Sequence, residues 1–246
     1  GEIQSHSTVE NDYLLNGFWA KSQAEELPNA DLEVTFIVSI NDVTNEILNG
    51  VADLNAEAEK KAKIQKNISD LQKSYKREAW QSVMIRTFYE GNQYMLFVTE
   101  SFEDVRLVGA PPSSIGKFGS DTDNWVWPRH TGDFSLFRIY ADKNNRPAAY
   151  SKDNVPYTPK HFLPVSLDGV AEDDFTLVFG YPGKTNEYLP SVAIEQIVNE
   201  LNPAKIEIRE KALKVADGFM RKDNAIKIQY ASKYAGIANY WKKWIG

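Results

Sequence analysis

The hydrophobic periodicity of this chain changes once, near Pro190, and that change limits the folds open to it. Upstream, several segments alternate apolar and polar residues. Leu32 to Ile40 (LEVTFIVSI) does so and is rich in β-branched residues, which predicts a half-buried strand. Trp80 to Tyr89 and Gln93 to Ser101 flank Glu90-Gly91-Asn92, a hairpin signal. Val105 to Val108 and Asp133 to Ala141 read as further strands. Phe175 to Gly180 reads as a short buried strand closed by the turn Gly180-Tyr181-Pro182-Gly183. Two helices are predicted within this β-rich part. The first, Ser7 to Ala20, has Ser7 or Thr8 as its cap. The second, Asp53 to Arg77, repeats Leu54, Ala58, Ala62, Ile68, Leu71 and Tyr75 at three- and four-residue steps. Downstream, Ser191 to Leu201, Ala204 to Met220 and Asn224 to Trp244 all carry helical periodicity. The expected class is α+β: an antiparallel β part over residues 1–190 with a long helix inserted, then a helical part over 191–246, the boundary falling between Gly183 and Ser191.

Composition excludes several functions. The chain has 246 residues, 42% hydrophobic and 25% charged, as expected for a packed globular protein. Its net charge of −6 argues against a nucleic-acid partner, which needs a clustered basic face. With no cysteine there is no disulfide, zinc-thiolate site or thiol nucleophile. No run reaches the ~18 apolar residues of a membrane span, so no membrane insertion is expected. The opening Gly1-Glu2-Ile3-Gln4 lacks both an initiator Met and a basic, apolar leader. The expectation is an internal piece of a longer protein.

Gly119 to Tyr140 (GSDTDNWVWPRHTGDFSLFRIY) is the most unusual stretch. Two Trp, a Pro, an Arg and a His crowd a Gly-rich loop, and surface loops hold that many rings chiefly where they line something. Asp133 follows at the mouth of a predicted strand. A carboxylate there can orient a histidine by accepting its Nδ1–H, although an Asp after Gly more commonly caps a turn. His130, three residues earlier, is the tempting local base, yet a lone loop histidine is more often a structural hydrogen-bonding residue. No Gly-x-Ser-x-Gly elbow is present. No metal site is expected: Asp121-Thr122-Asp123-Asn124 lacks the later Gly and Glu of a calcium loop. Tyr181 to Thr185 has the wrong spacing for a phosphate-binding loop.

Taken together, Gly1 to Ser7, Leu107 to Gly119 (LVGAPPSSIGKFG), Asp121 to Arg138, Phe179 to Tyr188 (FGYPGKTNEY) and Ala235 to Trp241 (AGIANYW) resemble the bacterial dipeptidyl-peptidase 7/11 family. The central segment is the specific one, and the resemblance extends over essentially the whole chain. It implies a periplasmic or cell-surface serine exopeptidase that removes dipeptides from free peptide N-termini, without a cofactor. It also implies a chymotrypsin-like double β-barrel capped by a helical domain, and a parent that tends to dimerise. The family's triad runs His, Asp, Ser. The resemblance places the histidine just before the segment matching Gly1 and the serine well beyond Gly246, so this chain alone is expected to be inactive. Asp133 matches the catalytic aspartate in the Thr-Gly-Asp-Phe motif. Asn124 and Trp125 match residues contacting the substrate's N-terminal end, and Asn239 matches a helical-domain asparagine that helps hold the α-amino group. His130 matches a motif residue rather than the base. The rival reading is a non-catalytic module that binds peptide or glycan through the aromatic loop.

Overall fold

A computed structural model of the protein describes every residue except Arg129, Pro182, Lys184 and Thr185. Among the described residues the strands are β1 (Phe18–Trp19), β2 (Leu27–Pro28), β3 (Val34–Asp42), β4 (Gln81–Phe88), β5 (Gln93–Phe102), β6 (Val105–Ala110), β7 (Lys117–Phe118), β8 (Gly132–Asp133), β9 (Leu136–Ala141) and β10 (Val155–Pro156). The α-helices are α1 (Glu2–Ser5), α2 (Tyr13–Asn16), α3 (Thr44–Leu48), α4 (Glu57–Ser74), α5 (Ser113–Gly116), α6 (Ser191–Gln196), α7 (Asn202–Met220) and α8 (Asn224–Ile245). The paired strands are antiparallel. The chain is α+β, with a long helix inserted among antiparallel strands and helices from Ser191 onward. It divides into two compact units, one of residues 1–19, 109–135 and 159–246, the other of residues 20–108 and 136–158.

The second unit is built on the sheet β3-β5-β4. One face of β5 supplies Tyr94, Leu96 and Val98, which join Val43 and Ile47 in a buried cluster. The helix α4 covers it with Ile64, Ile68, Leu71 and Tyr75, spaced so that they share one stripe. Alanines 58 and 62, expected on that stripe, are exposed. The helix starts four residues later than the sequence suggests, at Glu57, where Ala56 holds the N-cap position in an extended conformation and offers no side-chain cap. The β4–β5 turn needs positive φ at Glu90 (57°) and Gly91 (100°), which matches the hairpin signal.

A second sheet in the same unit brackets β6 between β2 and β9, with β10 outside β9. Here a polar network is buried. Glu26 accepts from Arg138 Nε at 2.9 Å and from the Tyr140 hydroxyl at 2.8 Å. Asp104 accepts two hydrogen bonds from Arg106, at 2.8 and 2.7 Å, and one from Asn154 at 2.9 Å. The Arg106 guanidinium lies 3.6 Å from the centre of the Tyr140 ring, a cation–π contact. Burial and the bond to Glu26 push the Tyr140 hydroxyl up to about 12.

In the first unit three expectations need correction. Ser7 to Ala20 is not one helix. Asp12, not Ser7 or Thr8, caps α2 by accepting from the Leu15 amide at 3.0 Å. At Gly17 the backbone turns out with φ of 77°, and a Cβ there would meet the Ala110 carbonyl at 2.9 Å. The strand expected over Asp133 to Ala141 is two strands, β8 and β9, broken at Phe134 and Ser135, where the chain passes from one unit to the other. Phe175 to Gly180 forms no strand and is exposed, with Val178 at 98% and Phe179 at 92%. Its apolar, β-prone run suits a buried strand, but no described segment pairs with it, and a strand needs an edge to join. Pro182 of the turn predicted after it lies outside the described residues, as do Lys184 and Thr185 of the discounted phosphate-loop pattern.

The helices after Pro190 follow the sequence closely. A π-helical turn over Ile197–Leu201 joins α6 to α7 without a break. It sits just before Pro203, whose ring would otherwise meet the Asn199 carbonyl of a regular helix. Asp223 caps α8 through the Ala225 and Ile226 amides, at 2.7 and 3.3 Å. Leu213 of α7 and Ile228 and Ala238 of α8 are buried.

Candidate functional site

Asp133 ends β8, where it pairs with Lys117 of β7 while Gly132 pairs with Phe118. The Phe134 amide extends the ladder by donating to the Gly116 carbonyl at 2.9 Å. These backbone bonds fix the Cα of Asp133 and leave its carboxylate exposed. It lines a cleft of about 910 Å³ within the first unit, together with Lys117, Asp121, Ser135, Tyr234 and Ala235. Lys117 and Asp121 form an ion pair at 3.6 Å on the same wall. Burial, with Asp217 and Asp121 nearby, raises the Tyr234 hydroxyl above its ordinary range.

The aromatic loop is pinned at its start by Gly119. Its φ is 73°, and a Cβ there would overlap the His130 carbonyl, so only glycine fits the close approach. It is the backbone of His130 that lies against Gly119. Asp123 closes a turn by donating its amide to the Gly119 carbonyl at 3.2 Å. Trp125 carries a φ of 59°, a costly conformation for an aromatic residue that persists where surroundings impose it.

Those surroundings are α8. Asn239 Oδ1 accepts from Asn124 Nδ2 at 3.0 Å and from Trp125 Nε1 at 2.7 Å, across 115 and 114 positions of sequence. Lys242 Nζ donates to the Thr122 carbonyl at 3.3 Å, and Lys243 Nζ lies 5.5 Å from the centre of the Trp125 ring. The three residues matched to an amine-binding role therefore meet within one compact unit, all partly buried. Asn239 lies one helical turn beyond Ala235 and Asp121 three residues before Asn124, and both Ala235 and Asp121 line the Asp133 cleft. The other loop tryptophan, Trp127, is 88% exposed. Sequence reasoning missed Lys242 and Lys243. Their signal was present as two cations in the last turn of a helix, where they complement the helix dipole and reach neighbouring carbonyls. Among the described residues no group of three or more His, Asp or Glu could hold a metal ion. No helix in them is long and apolar enough to cross a membrane.

The chain is similar along its length to known proteins. The chain is 76% identical to an Asp/Glu-specific dipeptidyl-peptidase of Flavobacterium psychrophilum, over 99% of this chain and 34% of that protein. It is 69% identical to a protein of the same name from Capnocytophaga gingivalis, over 100% of this chain and 35% of that one. A dipeptidyl-peptidase 7 of Capnocytophaga gingivalis is 44% identical over 98% of the chain. Porphyromonas endodontalis DPP11, solved in complex with the dipeptide Arg-Asp, superposes with a TM-score of 0.88 at 44% identity, covering 99% of this chain and 36% of that one. The chain thus spans about a third of the length of the relatives it matches. A sequence profile for Peptidase S46 matches residues 1–246, the aspartate strand, the aromatic loop and the helix that receives it included, and the chain belongs to that family.

Proposed function

We propose that this chain is part of a serine dipeptidyl-peptidase that releases dipeptides from the free N-termini of peptides. Asp133 is its orienting carboxylate, accepting the Nδ1–H of a histidine supplied from outside residues 1–246 and stabilising the imidazolium formed as a serine, likewise outside, attacks the scissile carbonyl. Asn124, Trp125 and Asn239 form the place where the α-ammonium is held. A charged amine entering a cleft loses water and needs fixed acceptors in its stead. Residues 1–190 then belong to a chymotrypsin-like barrel domain and 191–246 to the start of a helical cap that limits the cut to two residues. A periplasmic or cell-surface location and a homodimeric parent fit this reading. So does a preference for Asp or Glu as the second residue of the released dipeptide. Relatives at 76% and 69% identity carry Asp/Glu-specific names, and the related DPP11 was solved with Arg-Asp and Arg-Glu.

The observation that carries this reading is the meeting of Asn124 and Trp125 with Asn239 in the unit whose cleft Asp133 lines. The experiment is a reporter assay on the full-length peptidase containing this sequence. Dipeptidyl reporters with Asp or Glu in the second position should be cleaved, their N-acetylated forms should resist, and reporters with Leu or Lys there should be poor. Equal cleavage of free and acetylated reporters would overturn the exopeptidase assignment.

A further inference from the structure

The hydrogen-bond chemistry of the anchor fixes which atom of each amide faces which way. An indole Nε1–H can only donate. The Asn239 atom 2.7 Å from Trp125 Nε1 is therefore the amide oxygen. That oxygen is also 3.0 Å from the Asn124 amide, so the group Asn124 presents to it is its NH₂. Asn124 Oδ1 must then turn away from Asn239, and no hydrogen bond occupies it among the described residues. Asn239 Oδ1 meanwhile already receives two N–H donors.

We propose that the Trp125 indole N–H is the reference donor that orients both amides. Through Asn239 it holds Asn124 with its oxygen outward, as the acceptor that meets the substrate's α-ammonium. The Trp125 indole is on this account a positioning group for amine recognition, acting through Asn239. The inference rests on the amine-anchor reading above. Its physical content lies in the near-symmetry of a carboxamide. Oxygen and NH₂ have similar size, so without a donor-only neighbour the pair can swap ends at little steric cost. With the swap, Asn124 would offer N–H groups to an ammonium, donor against donor. The strained backbone at Trp125 and the Lys242–Thr122 bond keep the indole where it can act.

Substitutions at 125 and 239 should be non-additive, because a carboxylate has two equivalent oxygens and no orientation to set. In the full-length enzyme, Trp125→Phe should raise KM for free-amine reporters by roughly 10- to 100-fold, the worth of one hydrogen bond to a charged group, with kcat little changed. Replacing Trp125 with benzothienylalanine, which keeps the bicyclic ring and lacks the N–H, should do the same and guards against a packing defect in the Phe variant. Asn239→Asp should retain amine recognition, and in that background Trp125→Phe should have almost no further effect on KM. If Trp125→Phe costs as much beside Asp as beside Asn at position 239, the indole acts only structurally and the orientation relay is wrong. If Trp125→Phe leaves KM unchanged while Asn124→Ala abolishes the preference for a free amine, the relay fails and the anchor stands. If Asn124→Ala also keeps that preference, the anchor fails and the relay with it.

Discussion

Asp104 and Arg106 lie two residues apart and grip one another through two parallel hydrogen bonds, at 2.8 and 2.7 Å, with the Asp104 side chain wholly inaccessible. A bidentate pair of this kind relies on both partners being charged. Burial on its own raises the Asp104 pKa, but the bonds from Arg106 and Asn154 outweigh it and hold the carboxyl below its ordinary value. The group is therefore depressed in the folded state, and its stabilisation is complete above the unfolded pKa. It should be lost as pH falls through the ordinary carboxylate range of ~4 and below. Thermal denaturation from pH 7 to pH 3 should show this fall, and Asp104→Asn should flatten it. A variant with an unchanged acid limb would remove Asp104 from the linkage. At neutral pH Asp104→Ala should destabilise by about 3–5 kcal/mol, because it strands a buried guanidinium.

Asp133 makes a different prediction, since it is exposed and braced only by backbone bonds. Asp133→Asn should leave the melting temperature within a degree or so, within the small range of exposed surface changes. In the full-length peptidase the same change should lower kcat by about 10⁴-fold, because an amide in that position favours the wrong imidazole tautomer. Wild-type turnover in the variant would take Asp133 out of the mechanism.

At Gly119 the loop tolerates no side chain. Gly119→Ala should cost roughly 1–3 kcal/mol through positive φ alone, and more because the new methyl meets the His130 carbonyl. The displaced loop should loosen the Trp125–Asn239 contact. We therefore expect KM for free-amine reporters to rise along with the loss in stability, whereas a pure stability effect would leave KM untouched.

In the sheet β3-β5-β4 two apolar residues should behave oppositely. Leu96 is 0% exposed and Val38 is 45% exposed. Leu96→Ala should cost about 2–5 kcal/mol by opening a cavity, while Val38→Ala should stay near the ~0.5 kcal/mol of surface changes. Urea titration separates the two, and similar midpoints would refute the assignment of the core.

The sequence carried the elements whose signal is local. Ile68, Leu71 and Tyr75 were legible as one face of α4, and Asn224 to Trp244 as a helix, because side-chain spacing alone sets those faces. The N-terminal segment misled because Asp12 and Gly17 together make a short capped turn, while the apolar spacing from Tyr13 to Phe18 suggests a longer helix. The break at Phe134 and Ser135 was invisible, since alternation reports which residues face inward and says nothing of where a strand changes partner. Phe175 to Gly180 misled for a related reason: an apolar run reports a preference for burial and says nothing of whether a partner strand is present. At the site, the roles of Asp133, Asn124, Trp125 and Asn239 came from motif resemblance. No spacing rule pairs residues 115 positions apart, and the pairing appears only once α8 is laid against the loop.

The π turn over Ile197–Leu201 makes the helical segment sensitive to length as well as to composition. Each residue of an α-helix advances the side-chain direction by ~100°, so the one residue that widens this turn sets the rotational phase of everything after it. Deleting a single residue there would remove the widening, press the Pro203 ring against the carbonyl four residues before it, and carry Leu213 off the face it now buries. Substitutions from Ile197 to Leu201 can therefore be permissive where a deletion is not, and length variation in this family should avoid a stretch whose side chains, read singly, look replaceable.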